Sequence, residues 1–150
     1  MSNRTLALVE SAARHLVPTY RPRALVLDRG LGARVWDIEG RDYVDFSAGI
    51  AVSALGHGDP DLLAALHAQA GRLWHTSNAF LTEPPLRLAE ELIAASGFAS
   101  RVFFCNSGAE ANEAAIKLAR RFAARAGRGP ERRVILSFEG SFHGRTLATV

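Results

Sequence analysis

The stretch RVFFCNSGAEANEAAIKLARRFAARAG, residues 101–127, decides the fold. It opens with a short apolar run of strand character, Arg101–Cys105, and then continues from about Ser107 to Ala126 with residues that favour a long helix. A second apolar run, Val134–Phe138, follows. Strand, helix and strand in this order predict a βαβ unit, and therefore an α/β fold with a mostly parallel sheet.

The junction between the first strand and the helix has the properties of an anion-binding turn. Ser107 stands at the helix N-cap, and Gly108 and Ala109 follow with almost no side-chain bulk. Because the first amides of a helix have no acceptor within it, they can bind a phosphate group there. A helix cap alone explains Ser107 and Gly108 equally well, since Ser-Gly is common at helix starts. Spacing alone leaves both interpretations open.

Two familiar nucleotide-binding patterns are missing around this turn. The chain has no GxxxxGK[ST] segment, so a P-loop would lack its lysine. It also has no GxGxxG after a predicted strand, so a dinucleotide site would lack its glycines. The turn therefore suits a small phosphate carried by another kind of molecule.

The pattern upstream predicts an N-terminal part, residues 1–58, and the first part of a larger domain, residues 59–150. Residues 1–20 are predicted to form a helical arm that ends at Pro18. A small antiparallel meander is predicted from three β-type runs, Ala24–Leu27, Val35–Ile38 and Tyr43–Phe46.

Glycine content and helix-capping residues predict the elements that follow the meander. Ser47–Gly58 is predicted to be a glycine-rich loop. Asp59 and Pro60 predict one helix start, and Thr82 predicts another helix, which ends at Gly97.

Composition limits the class of protein. Hydrophobic residues make up 48% and charged residues 22%, which is typical of a globular chain. No apolar run is long enough for a membrane span, and the first ten residues do not resemble a signal peptide. The single cysteine, Cys105, fits a reducing compartment, so we expect a cytoplasmic protein. We expect no metal site, because His57, His67 and His75 lack partners at ligand spacing.

The net charge of +3 and the pI near 9.7 resemble those of a nucleic-acid-binding protein, but the positions of the basic residues argue against such a partner. The basic cluster falls at the predicted C-terminal end of the long helix, where cations favour the helix dipole. Its members are Arg120, Arg121, Arg125, Arg128, Arg132 and Arg133.

Five blocks of sequence occur in a characteristic order. They are DFSAGIAV (45–52), LGHGDP (55–60), HTSN (75–78), FCNSGAEANEAAIK (104–117) and SFHGRT (141–146). Together they resemble class III (subgroup II) aminotransferases, and specifically their acetylornithine and succinylornithine branch. One departure is Gly58-Asp59, where this branch more often has Cys-His before the proline.

The resemblance implies a fold and a set of partners. The fold is the α/β fold type I of pyridoxal-phosphate-dependent transferases, with a small-domain meander followed by the start of the large, mostly parallel-sheet domain. The cofactor is pyridoxal 5'-phosphate. The expected partners are an amino donor, 2-oxoglutarate and a second copy of the chain, with no nucleic acid and no membrane.

The resemblance also implies roles for single residues. Ser107, Gly108 and Ala109 would hold the cofactor phosphate, and Phe142 would lie against its pyridine ring. Arg145 would bind the substrate α-carboxylate, since a guanidinium matches a carboxylate bidentately. The alternatives are a core aromatic for Phe142 and a surface arginine for Arg145.

Neighbours of these residues are expected to support the structure. His143 is expected to position its loop, and Asn112 and Cys105 to pack. Glu113 is expected to form a helix-surface pair with Lys117 at i,i+4.

The chemistry also needs a lysine that forms a Schiff base with the cofactor, and Lys117 is the chain's only lysine. It lies ten residues beyond Ser107. At 1.5 Å per residue it would be roughly 15 Å along the helix from the phosphate, too far for the same small cofactor. We therefore expect no catalytic residue within this chain and no transaminase activity from these 150 residues alone. The resemblance implies that the Schiff-base lysine, and an acidic partner of the ring nitrogen, lie beyond Val150.

The function implied is transfer of the δ-amine of N-acetylornithine to 2-oxoglutarate in arginine biosynthesis. Succinylornithine, succinyldiaminopimelate or another ω-amino acid are alternative donors. A racemase or aminomutase of the same fold is a second alternative, and a non-catalytic, arginine-rich nucleic-acid or protein-binding module is a third.

Overall fold

The computed structural model describes all 150 residues, which form two compact units, Met1–Phe80 and Leu81–Val150. The predicted boundary after residue 58 stays a prediction. None of the helices combines the length and apolar composition that a bilayer-spanning helix needs.

The first unit contains the predicted antiparallel meander. Its strands, in the order β1-β2-β3, are Leu27–Leu31, Arg34–Asp37 and Asp42–Val44. The first strand begins later than predicted and includes Gly30, which lies beyond the predicted run Ala24–Leu27. The reason is close approach: a Cβ on Gly30 would lie 2.6 Å from Cγ of His57. The turn instead uses Gly32, at φ 53°.

A buried carboxylate closes the connection between β2 and β3. Asp37 is 3% exposed, and its Oδ1 accepts from the backbone amides of Glu39 and Arg41 at 3.0 and 2.9 Å. Its Oδ2 accepts from Arg41 Nε at 2.7 Å and the Tyr43 hydroxyl at 2.9 Å. Desolvation raises the pKa of Asp37, but these hydrogen bonds outweigh it and lower that pKa to about 2.

The N-terminal helix α1, Asn3–His15, ends before the predicted stop at Pro18. Ser2 caps it by accepting from the Thr5 amide at 3.3 Å. The Thr5 hydroxyl donates to Glu39 at 2.7 Å, which attaches α1 to the β2–β3 connection.

A short left-handed turn, α2 at Ala48–Ala51, lies within the predicted glycine-rich loop. Ala48, Ile50 and Ala51 have φ values of 44°, 62° and 62°, a conformation that is costly for residues with a Cβ. The Asp45 carboxylate supports the turn by accepting from the Ala48 amide at 2.9 Å, and it also pairs with His57 Nε2 at 2.8 Å.

Helices α3 and α4 begin where the sequence predicts. α3 spans Pro60–Ala70, and Asp59 caps it by accepting from the Leu62 amide at 2.9 Å. α4 spans Glu83–Ser96 and ends at Gly97, whose φ of 70° is a left-handed C-terminal stop.

Helix α5, Gly108–Arg125, is the predicted long helix, and a 3-10 turn follows at Pro130–Arg133. The prediction of strands at Arg101–Cys105 and Val134–Phe138 is wrong for this structure. Its sheet consists of the three meander strands, and neither segment belongs to it. A parallel strand exists only through hydrogen bonds to a neighbour, and these two segments do not pair with each other. Their apolar side chains stay exposed; Leu136 is 91% and Phe138 89% accessible.

Both units leave much apolar surface uncovered. Val35 and Ala123 are the buried hydrophobic residues. These 150 residues therefore form well-defined local elements without a large core of their own.

Candidate functional site

The N-terminus of α5 is a reciprocally capped turn. Ser107 Oγ accepts from the Glu110 amide at 3.2 Å. The Glu110 carboxylate in return accepts from the Asn106 amide at 2.8 Å and from the Ser107 hydroxyl at 3.2 Å. Hydrogen bonds from the Asn106 side chain and then Ser107 lower the pKa of Glu110. The capping role of Ser107 is confirmed.

The same turn has room for an anion. Gly108 and Ala109 are in the first turn of α5, so their amides have no acceptor within the helix. A Cβ on Gly108 would meet no atom within 4 Å, which means that open space adjoins the glycine. The Gly108 and Ala109 amides take no part in the cap and are available to an anion, whereas the Ser107 hydroxyl donates to Glu110 and would exchange that partner for the phosphate.

The loop at 142–145 lies directly against this turn. A Cβ on Gly144 would lie 2.7 Å from Cβ of Ala109, so the two backbones are in close contact. Asn112 Nδ2 donates to the carbonyl of His143 at 2.6 Å, one turn further along α5. The two segments that carry the predicted site residues are thus adjacent within the second unit, and Asn112 holds the loop.

Glu113 bonds to the 146–148 segment and not, as predicted, to Lys117. Its Oε1 accepts from the Thr146 hydroxyl at 2.5 Å and from the Ala148 amide at 3.0 Å. These two hydrogen bonds, followed by the charge of Lys117, lower the pKa of Glu113. No ion pair joins Glu113 to Lys117, so the expected surface pair is wrong. The reason is tertiary: the 146–148 backbone reaches the Glu113 carboxylate and supplies two donors.

Phe142 and Arg145 face each other on the loop. The guanidinium carbon of Arg145 lies 5.4 Å from the centroid of the Phe142 ring. Phe142 is 75% exposed, so it is not a core aromatic in this unit. The loop therefore presents an aromatic face and a guanidinium beside the capped turn.

A groove of about 740 Å³ runs along the flank of α5, between that helix and residues 135–150. Asn112 and His143 line it, but none of the five predicted binding residues does. The candidate site is therefore the open surface formed by the α5 N-terminus and the 142–145 loop. Lys117 is exposed on α5.

Sequence reasoning missed the roles of Asn112 and Glu113 in holding the loop. Their partners are 31 and 33 residues away, and no local pattern indicates such contacts. Nor do three His, Cys, Asp or Glu side chains converge as a metal site requires.

The sequence model of the family "Aminotransferase class-III" matches residues 17–150. The acetylornithine aminotransferase of Xanthomonas campestris is 65% identical over 140 residues, which cover 93% of this chain and 34% of that protein. The succinylornithine transaminase of Yersinia pseudotuberculosis is 55% identical over 140 residues, or 90% of this chain and 34% of that protein.

A solved structure extends this similarity to three dimensions. The N-acetylornithine aminotransferase of Stenotrophomonas maltophilia superposes with a TM-score of 0.82 at 59% identity, over 91% of this chain and 36% of that one. The predicted fold class is thereby confirmed, although the parallel strands are not formed within these residues. The chain spans about a third of the length of the curated relatives it matches. On the family match from residue 17 to residue 150, the chain belongs to the class III aminotransferases.

Proposed function

We propose that this chain provides the phosphate-binding and carboxylate-binding segments of a pyridoxal-phosphate-dependent transaminase. The enzyme transfers the δ-amine of N-acetylornithine to 2-oxoglutarate in arginine biosynthesis. The observation that carries the proposal is the contact between Gly144 and Ala109, because it joins an anion-binding turn to a loop with an aromatic ring and a guanidinium.

The residues present fit the cofactor. The Gly108 and Ala109 amides, with the Ser107 hydroxyl, would hold the phosphate in the open space beside Gly108. The exposed Phe142 ring would lie against the pyridine ring. When bound, pyridoxal phosphate supplies the electron sink that amine transfer requires.

Arg145 would bind the α-carboxylate of the donor. A guanidinium presents two parallel N–H groups to a carboxylate, which orients the substrate as well as attracting it. N-Acetylornithine, succinylornithine and succinyldiaminopimelate share this carboxylate, a distal amine and an acylated α-amine. Relatives named for acetylornithine and for succinylornithine support both compounds as candidate donors. We place N-acetylornithine first, because the relative named for acetylornithine is 65% identical to this chain and the one named for succinylornithine is 55% identical.

Other parts of the enzyme would complete the site. Lys117 is exposed and roughly 15 Å along α5 from Ser107, so it cannot bond to a cofactor held at the turn. The lysine that does so, and the acid that pairs with the ring nitrogen, would come from the part of the full-length protein that these residues do not cover. We also propose that the enzyme is a cytoplasmic homodimer.

The cofactor assignment is tested by Gly108→Ala in the full-length protein. Alanine favours a helix over glycine and meets no atom here, so the cofactor-free protein should keep or slightly raise its Tm. A methyl group beside the phosphate should nevertheless weaken cofactor binding by about tenfold or more, or about 1.4 kcal/mol. Absorbance titration with pyridoxal phosphate measures this, and unchanged affinity would refute the assignment.

The reaction is tested by glutamate formation from N-acetylornithine and 2-oxoglutarate. Glutamate should require both substrates. Turnover of the donor without consumption of the keto acid would instead identify a racemase or aminomutase.

A further inference from the structure

Residues on both sides of Arg145 are attached to the first turns of α5. Before it, the His143 carbonyl accepts from Asn112 at 2.6 Å, and Gly144 lies against Ala109. After it, Thr146 donates its hydroxyl to Glu113 at 2.5 Å. The backbone of the exposed Arg145 is therefore held to the same helix that carries the anion-binding turn.

Glu113 supplies the attachment on the C-terminal side with a single oxygen. Its Oε1 accepts from both the Thr146 hydroxyl and the Ala148 amide, which lie on either side of Leu147. Thr149, 7% exposed, closes the same turn, because its hydroxyl accepts from the Thr146 amide at 2.9 Å. Glu113 thus joins α5 to a tightly bonded turn that begins immediately after Arg145.

We propose that Glu113 is a positioning residue that acts through Thr146 to aim the Arg145 guanidinium at the carboxylate of the amino donor. The inference rests on the proposed function, since it needs Arg145 to bind that carboxylate. Glu113 also helps to set the distance between the two anion-binding groups. The turn at Gly108 and the loop at Arg145 are both fixed to α5, so the spacing of phosphate and carboxylate is built into one helix.

The hydrogen-bond geometry separates positioning from charge. Both donors reach one oxygen, and the amide oxygen of glutamine can accept both. Glu113→Gln should therefore keep both sides of Arg145 attached, whereas Glu113→Ala should release only the side after Arg145, because Asn112 still holds the His143 side. If the negative charge itself were needed at the site, Gln and Ala would fail equally.

A comparison of two amino donors tests whether the Arg145 guanidinium is correctly oriented. N-Acetylputrescine is N-acetylornithine without its α-carboxylate, so it reacts at the same amine but makes no use of Arg145. For N-acetylornithine, Glu113→Ala should raise KM about tenfold with little change in kcat, which is the signature of lost ground-state binding. For N-acetylputrescine, kcat/KM should stay within about twofold of wild type.

The experiment uses the full-length enzyme with cofactor and measures kcat and KM for both donors. The variants are Glu113→Ala, Glu113→Gln, Thr146→Val and Thr146→Ser, with Glu91→Ala as a matched control on an exposed glutamate of α4 without a hydrogen-bond partner. The conservative variants Glu113→Gln and Thr146→Ser should keep the wild-type KM for N-acetylornithine. The KM should be raised in Glu113→Ala and Thr146→Val. Because Thr146→Val removes one of the two hydrogen bonds that Glu113→Ala removes, the Ala/Val double variant should lose no more than the Glu113→Ala variant.

Each outcome bears on one proposal. Equal losses on the two donors, or failure of Glu113→Gln to restore KM, would overturn the positioning role. Wild-type KM in both Glu113→Ala and Thr146→Val would overturn it as well. A wild-type enzyme that produces no glutamate from either donor would instead overturn the proposed function. Activity on N-acetylputrescine shows that a variant is folded, so a folding defect cannot imitate the expected result.

Discussion

Gly144 lies so close to Ala109 that a Cβ on the glycine would be 2.7 Å from the alanine Cβ. Gly144 also has a φ of 140°, which few residues with a side chain adopt. Two independent constraints thus require glycine where the loop meets the helix. The contact brings together two segments that are 35 residues apart in sequence.

Gly144→Ala should separate the loop from the α5 N-terminus. Overpacking and backbone strain together should cost about 2–4 kcal/mol and reduce cofactor affinity more than tenfold. Gly140→Ala is the matched control, because Gly140 has a positive φ of 71° but its Cβ would meet nothing within 4 Å. Cofactor titration of the full-length variants checks this, and equal affinity in the two variants would show that the contact is unimportant.

Arg145→Gln should weaken binding of donors that carry the α-carboxylate. Loss of a charge-assisted pair costs about 1.5–3 kcal/mol, which corresponds to a decrease of roughly 10- to 150-fold in kcat/KM for N-acetylornithine. N-Acetylputrescine should be nearly unaffected. Steady-state kinetics with both donors measure the difference, and parallel losses would indicate that Arg145 supports the loop rather than the substrate.

Lys117 should not bond to the cofactor. It is exposed on α5, and the pitch of the helix keeps it roughly 15 Å from the phosphate turn. After borohydride treatment of these 150 residues with pyridoxal phosphate, mass spectrometry should find no stoichiometric adduct at Lys117 and the polypeptide should show no transaminase activity. In the full-length enzyme, Lys117→Arg should remain active. A stoichiometric adduct at Lys117 would refute the distance argument.

Asp37→Asn should destabilise the meander in a pH-dependent way. Asparagine keeps an acceptor for the Glu39 and Arg41 amides but loses the one for the Arg41 side chain and the Tyr43 hydroxyl. The pKa of Asp37 is lowered from its ordinary value of 3.8 to about 2, so its ionised form stabilises the folded state. That contribution is fully present above pH 3.8 and is lost as pH falls through about 2.

The full-length protein and its Asp37→Asn variant should therefore differ in Tm by a constant amount from pH 7 to pH 5, with the difference narrowing below about pH 4. Thermal unfolding over this range measures it. Asp28→Asn, at an exposed position on β1, provides the control. A Tm difference that widens toward low pH would contradict the assignment.

Local chemistry made much of this structure predictable. Ser107 and Asp59 cap helices because their side chains accept the first free amides, and this requires only neighbouring residues. The meander followed from alternating β-type runs separated by turn residues. The prediction of strands at 101–105 and 134–138 was wrong because it depends on distant residues. An apolar run does not by itself supply the neighbouring strand that parallel pairing needs.

Sequence alone therefore determined where α3, α4 and α5 begin, approximately where the meander lies, and which turn has free amides for an anion, because each depends on residues within one or two turns of chain. Only the tertiary structure decided that Gly30 belongs inside a strand beneath His57, and that Glu113 bonds to Thr146 rather than to Lys117. Those outcomes depend on atoms brought together from 27 and 33 residues away, and the competition between possible partners is settled only when the chain packs.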